Sequence, residues 1–454
     1  MTQQRLVFAA VLITSFMGPF MGSSINIAIP SMAVDFGVSA PELSWVVTAY
    51  LLGSVSVLVP FGKLADIIGR KYLYKIGTIA VIVMTVLAGA AGSVPLLVGV
   101  RFLQGIALAM IFSTGMAMLV SSHTPAERGR VIGYSASVTY IGLSLGPILG
   151  GMITQYLGWR MIFFLTAAVL LLSLAAIVRV KNEWYGAKGE KLDYKGSLLY
   201  AMGSMLLLYG LSAYASQPIA KYLFWSGVVL FGCFIYQQHR SPAPLLALEL
   251  FRNTIFAMSN IAAMIHYSST FAISFLLSLY LQLLRGFDAS TAGMLLLLQP
   301  CMMALFSPKA GALSDRLQPR LLSSLGMAMT ALGLFAFSFL TAETSMVLIG
   351  ADLLFIGVGF AFFSSPNSNA VMGAVEPRYY GVASSILAVM RLSGQAISMA
   401  VVTVLLTVYT IPTVSSAEHL PSLMRGIKVI FLVLSVTCCF GVAASLARGK
   451  RVEK

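Results

Sequence analysis

The chain has 454 residues, 58% hydrophobic and 10% charged, where soluble globular chains carry about one quarter charged residues. A water-soluble protein this apolar could not cover its own surface with polar groups, and its helices lack the polar face that a soluble all-helical fold requires. The net charge of +14 would suit nucleic acid only if the bases lay on one soluble domain; they lie instead in short loops between apolar segments, which excludes that reading.

Fourteen apolar segments follow one another, most of them long enough for a helix to cross a bilayer. They run near 7–29, 43–62, 74–93, 95–119, 131–155, 160–180, 196–214, 221–238, 255–283, 291–313, 320–341, 345–370, 380–408 and 426–447. The first run carries no small-residue cleavage pattern and reads as a retained helix rather than a signal peptide. The seventh and eighth are short and interrupted by Gly203, Gly210 and Gly227. Most Lys and Arg fall in alternate loops, with a cluster at Arg179, Lys181, Lys188, Lys191 and Lys195. Only Arg160, Lys221, Arg285, Arg425 and Lys428 fall on the other side. By the positive-inside rule both termini are then cytoplasmic. The longest connector, about 181–195, leaves no room for a catalytic or nucleotide-binding module, and no phosphate-loop motif occurs. Cys233, Cys301, Cys438 and Cys439 all fall inside apolar segments, without metal-ligand spacing. The chain is read as a non-enzyme with no cofactor and no metal.

The second segment ends in Gly62-Lys63-Leu64-Ala65-Asp66-Ile67-Ile68-Gly69-Arg70-Lys71. Glycine permits a tight turn between two helices. Asp66 can meet basic residues or a helix N-terminus as a latch that breaks and re-forms. Gly311-Ala312-Leu313-Ser314-Asp315-Arg316 follows the tenth segment in the same way, which points to an internal duplication. Gly142, Gly146 and Gly150 recur every fourth residue around Pro147, giving a bare helix face and a bend. Arg101 lies inside the fourth segment with Gln104 on the same face. A buried guanidinium must be paired or hydrated, so relay, substrate contact and structural clamp all remain open roles.

With these motifs the chain resembles the major facilitator superfamily, whose signature after its second span reads G-x-L-A-D-x-x-G-R-K. Leu97 to Gly105 resembles its fourth-span arginine motif and Gly142 to Gly151 its fifth-span antiporter motif. Asn26-Ile27-Ala28-Ile29-Pro30, Trp45 to Leu52, and Gly381 to Gly394 with Arg391 resemble signatures of its fourteen-span drug:proton antiporter branch. The resemblance implies an all-α protein of two six-helix bundles, residues 1–180 and 253–454, with linkers and two extra spans in 181–252. It also implies transport by alternating access. That branch usually carries an Asp in the first span where this chain has Met21, so a negative charge for cationic drugs and for protons is absent there.

The proton-coupling candidates are Arg101, Asp352 and His266. Asp352 is the carboxylate clearly inside a span, set against an interfacial role near the outer end. His266 bears an imidazole that ordinarily titrates near neutral pH, set against a structural histidine. Gating falls to Gly62, Asp66, Gly69, Arg70, Lys71, Asp315 and Arg316. Met21, Asn26, Gln104, Gln299 and Arg391 are expected along the substrate pathway, and Gly142, Gly146, Pro147 and Gly150 in helix packing. The leading expectation is proton-coupled efflux of small amphipathic or lipophilic compounds by a multi-pass protein of the cell membrane. Its expected partners are the lipid bilayer, the substrate and protons, with no nucleic acid, a monomeric state and room for a periplasmic adaptor. Uptake or exchange of an anionic or neutral metabolite is the alternative, and a non-transporting membrane sensor a third reading.

Overall fold

The computed structural model describes residues 2–38, 40–212, 218–409 and 416–449. Sixteen α-helices account for the spans: α1 Gln3–Phe36, α2 Ala40–Ile68, α3 Arg70–Gly89, α4 Val94–Ser122, α5 Arg128–Leu157, α6 Arg160–Val178, α7 Tyr194–Ser212 and α8 Pro218–Arg240, then α9 Thr254–Thr270, α10 Ile273–Leu279, α11 Ala289–Leu296, α12 Leu298–Arg316, α13 Pro319–Phe337, α14 Met346–Gly373, α15 Tyr380–Tyr409 and α16 Ser416–Leu446. The ninth predicted span is α9 and α10 together with a π-helical turn at Tyr280–Leu284; the tenth is α11 and α12, broken at Leu297. Among the described residues, thirteen helical spans are long and apolar enough to cross a membrane. The seventh expected span, α7, is not one of them, since Tyr194, Lys195 and several Ser and Gly residues dilute its apolar content.

Packing repeats along the chain. In the first half α1 packs on α5 and α6, α2 on α4, and α3 on α4 and α6. In the second half α9 packs on α15 and α16, α12 on α14, and α13 on α14 and α16. Those are the same neighbours in the same order, as a duplicated chain requires. Between the halves, α2 meets α15 and α5 meets α12, while α7 pairs with α8 and leans on α2 and α15.

Small residues set these contacts where apolar burial cannot drive association, because lipid is as apolar as the side chains. A β-carbon on Gly142 would sit 2.4 Å from the Phe16 carbonyl oxygen, and one on Gly150 would sit 2.5 Å from the Ser24 side chain. One on Gly146 would overlap the Ser23 hydroxyl, while Ser24 donates to the Gly146 carbonyl at 2.9 Å. The glycine face of α5, with Pro147 inside the helix, is thus the seam against α1. Gly394 of α15 approaches the Met264 carbonyl of α9 in the equivalent place.

Candidate functional site: a crossed carboxylate latch

The glycine motif is mostly helix, not turn. Gly62 and Asp66 lie in the last turns of α2, and only Gly69, at φ +112°, makes the corner into α3. A carboxylate near a helix C-terminus faces the negative end of the helix dipole and needs a partner elsewhere. Asp66 finds it across the halves: the N–H groups of Gly381 and Val382, in the first turn of α15, each donate to it at 3.3 Å. Arg70 adds Nε at 2.8 Å and Nη2 at 2.7 Å. The same guanidinium donates to Ser121 Oγ at 2.8 Å and to the Pro377 carbonyl at 2.6 Å. It therefore ties α3 to α4 and to the turn before α15. Gly62 is small because α15 presses on it; a β-carbon there would lie 2.3 Å from Ser385 Oγ and 2.8 Å from the Gly381 carbonyl.

The second copy repeats the device in mirror order. Asp315, in the last turn of α12, accepts from Gly129 N–H at 2.7 Å and Arg130 N–H at 3.0 Å, the first turn of α5. Asn369 Nδ2 also donates to it at 3.2 Å. Each half thus supplies a carboxylate that caps a helix start in the other half, as an N-cap side chain does within one chain segment. Arg316 stands apart from this. Expected among the gating residues, it is exposed, because the helix turn directs it outward while Asp315 faces α5. Its place beside the contact is taken by Arg128, whose Nη2 donates to Tyr380 Oη at 2.9 Å.

The connector after α6 completes the Asp66 latch. Its Gly186 and Ala187 N–H groups donate to the Asp66 carbonyl at 2.9 and 2.8 Å, and Trp184 accepts from Arg70 N–H at 3.0 Å. Glu183 accepts from Lys71 N–H at 2.8 Å, and Glu190 pairs with Lys63 at 2.6 Å. At its end, burial pushes the Asp193 carboxyl up, but donors from Gly196, Gln237 and Gln238 outweigh that and hold it below its ordinary value. Sequence reasoning treated this stretch as a charged linker. Its glycines were the available signal: a β-carbon on Gly186 would strike the Arg378 carbonyl.

Deeper in the chain, the residues expected along a pathway separate into three places. Arg101 is buried, with Nε on the Val46 carbonyl at 3.0 Å, Nη1 on Gln104 Oε1 at 2.6 Å and its plane 4.3 Å from the Tyr50 ring. Gln104 in turn donates to Thr85 Oγ1 at 2.6 Å and to Met21 Sδ at 3.4 Å. Every one of these partners is neutral and belongs to α1–α4, so Arg101 and Gln104 tie those helices together, while Met21 also lines a small cavity with Thr14, Met17 and Thr166. Asn26 is exposed on α1, and Gln299 is buried where α12 meets Gly357 of α14.

Asp352 shares the face of α14 that carries Gly359 and packs on α13; its Oδ1 lies near Gly333, and its Oδ2 has no hydrogen-bond partner. His266 is fully buried, its ring 4.0 Å from that of Phe363 and 4.7 Å from that of Phe360, with neither nitrogen bonded. Arg101, Asp352 and His266 are therefore not gathered into one relay, because they sit on different helix faces among different neighbours. Arg391 lies nearer the junction of the halves. Its Nη2 donates to Ser368 Oγ at 2.5 Å, its plane is 5.6 Å from the Tyr267 ring, and its Nε has no partner.

Sequence reasoning missed the aromatic junction beside Arg391. Tyr140 of α5 donates to Ser364 Oγ of α14 at 2.9 Å and stands edge-on to Phe360, which Tyr267 also meets edge-on. No spacing rule marks an isolated Tyr in an apolar span as a cross-half contact.

Comparison with known proteins follows the same lines. Residues 11–399 match the family model described as Major Facilitator Superfamily. The riboflavin transporter RibZ of Clostridioides difficile is 28% identical over 392 residues, 86% of this chain and 86% of that protein. The multidrug resistance protein Stp of Mycobacterium tuberculosis is 30% identical over 389 residues, 83% of this chain and 71% of that protein. The crystal structure of the human organic anion transporter MFSD10 (TETRAN) aligns with a TM-score of 0.69 at 14% identity, over 98% of this chain and all of that one.

Proposed function

This chain belongs to the major facilitator superfamily, and from that premise we propose that it exports amphipathic or lipophilic compounds across the cell membrane in exchange for protons. The observation that carries the reading is the crossed latch. Two carboxylates, each bonded to a helix start in the other half, join the halves at one end of the molecule. Breaking them lets the six-helix units of 1–180 and 253–454 rock about a central cavity. The loop charges support a cytoplasmic latched end and cytoplasmic termini, and on that reading the latched arrangement is the one closed toward the cell interior. The likeness to a multidrug resistance protein supports export. Asp352 and His266, each with unbonded polar atoms, are the groups proposed to take up protons.

Flux in proteoliposomes tests this. An outward-directed lipophilic dye should move faster when a pH gradient is imposed, and indifference to the gradient would remove the exchange. Asp352→Asn should abolish the gradient's effect while leaving passive exchange; full coupling in that variant would remove Asp352.

A second reading, transport of an anionic or neutral planar metabolite, rests on a separate observation. Met21 occupies the first-span position of the missing carboxylate, while Arg391 lies beside the Tyr267–Phe360–Tyr140 ring cluster. A riboflavin transporter among the relatives supports it. Saturable binding of organic anions but not cations, weakened in Arg391→Gln, would favour this reading over drug export.

A further inference from the structure

The ends of α14 and α16 and the starts of α9 and α13 enclose a pocket apart from the ring cluster, with about 450 Å³ of empty space that includes open solvent. Arg448, just beyond α16, lines it. This side chain is 2% exposed, and its Nε, Nη1 and Nη2 all lack a hydrogen-bond partner. A guanidinium shut away from water with every donor unused is costly unless an anion joins it. Burial alone pushes Arg448 down to about 9.

The remaining lining fits an anion. Arg320, second residue of α13, contributes another guanidinium, whose Nε is unbonded. Gln318, the cap of that helix, gives its first turn no side-chain bond, so the positive end of a nineteen-residue helix also points this way. Among the described residues, none of those lining the pocket is a carboxylate, and Ala370 and Ala374 leave room at its wall. Arg448 lies two positions past the last residue of a spanning helix, which is headgroup depth, where basic pockets between helices recognise phosphorylated groups.

We propose that this pocket binds a phosphate group, held by Arg448 and completed by Arg320 and the first turn of α13. Two sources share that chemistry, the headgroup of an anionic phospholipid and free phosphate on the same side of the membrane. Neither is needed for the latch to form, although Asn369 lines the pocket and bonds Asp315.

The full chain reconstituted in nanodiscs separates them. In discs of phosphatidylcholine alone, inorganic phosphate is titrated while the thermal unfolding midpoint is followed, with chloride as control. In discs containing phosphatidylglycerol, native mass spectrometry counts the phosphatidylglycerol retained per protein. A saturable midpoint rise assigns the site to free phosphate, and selective retention of phosphatidylglycerol assigns it to lipid. In either case Arg448→Gln should weaken binding by at least about tenfold and Arg320→Gln by less. Should Arg448→Gln fail to fold, Ala374→Phe, which fills the pocket, takes its place beside Arg320→Gln. Wild-type protein that shows neither response, or variants that bind as wild type does, would overturn the assignment.

Discussion

At the α2 end of the latch Asp66 is 1% exposed and ion-paired with Arg70, whereas at the α12 end Asp315 is partly exposed and receives an uncharged carboxamide from Asn369. Both carboxylates cap a helix start in the opposite half through two backbone N–H groups. The shared geometry follows from the shared placement of an Asp in the final turn of a helix. What differs is how the charge is held. Arg70 binds α3, α4 and the turn before α15 at once, and the 183–187 connector covers the carbonyl of Asp66. No connector segment bonds the carbonyl of Asp315 among the described residues. A duplicated motif can therefore keep its capping role while losing its ion pair, and the two ends should respond differently to the same substitution.

The largest effect is expected from Asp66→Asn. It leaves the buried Arg70 guanidinium without a counter-charge, and removing one partner of a buried pair costs about 3–5 kcal/mol. Thermal unfolding of the purified protein should show a marked fall in midpoint, and transport in proteoliposomes should drop to near background. Asp315→Asn breaks no direct ion pair, although it removes the carboxylate charge felt by the buried Arg128. It retains one acceptor oxygen for the two N–H groups of α5, so a loss of about 1–2 kcal/mol is expected. Its midpoint and transport rate should fall between those of wild type and of Asp66→Asn. Equal losses in the two variants would erase the distinction between the latches. Arg316→Ala should be the mildest, within about 0.5 kcal/mol of wild type in the same assays, because the exposed side chain holds nothing that the latch uses.

Much of this was legible in the residues. Apolar length marked the spans, and glycine at every fourth position marked the α1–α5 seam, because both are local patterns that a membrane or a close helix contact imposes. The Asp66 and Asp315 motifs announced a latch but not its partners: Gly381, Val382, Gly129 and Arg130 contribute backbone N–H groups, which no side-chain pattern encodes. Arg101 shows the limit from the other side. A buried arginine in a span is a functional candidate from sequence, yet here its donors go to a carbonyl, a carboxamide and a ring within its own half. Arg448 and the Tyr140–Ser364 bond were invisible for a similar reason, since each depends on which distant helix lies alongside.

The central claim, that the two carboxylates hold the halves together at one end, is tested most directly by a distance across that end. Spin labels at Ala126 before α5 and Gln318 before α13, both exposed positions, would be introduced into a chain with its four cysteines replaced, and their separation measured by electron–electron double resonance. A single short population is expected with both carboxylates present, shifting mainly to longer separations when Asp66 and Asp315 are both changed to Ala. An unchanged distribution in the double variant would contradict the latch.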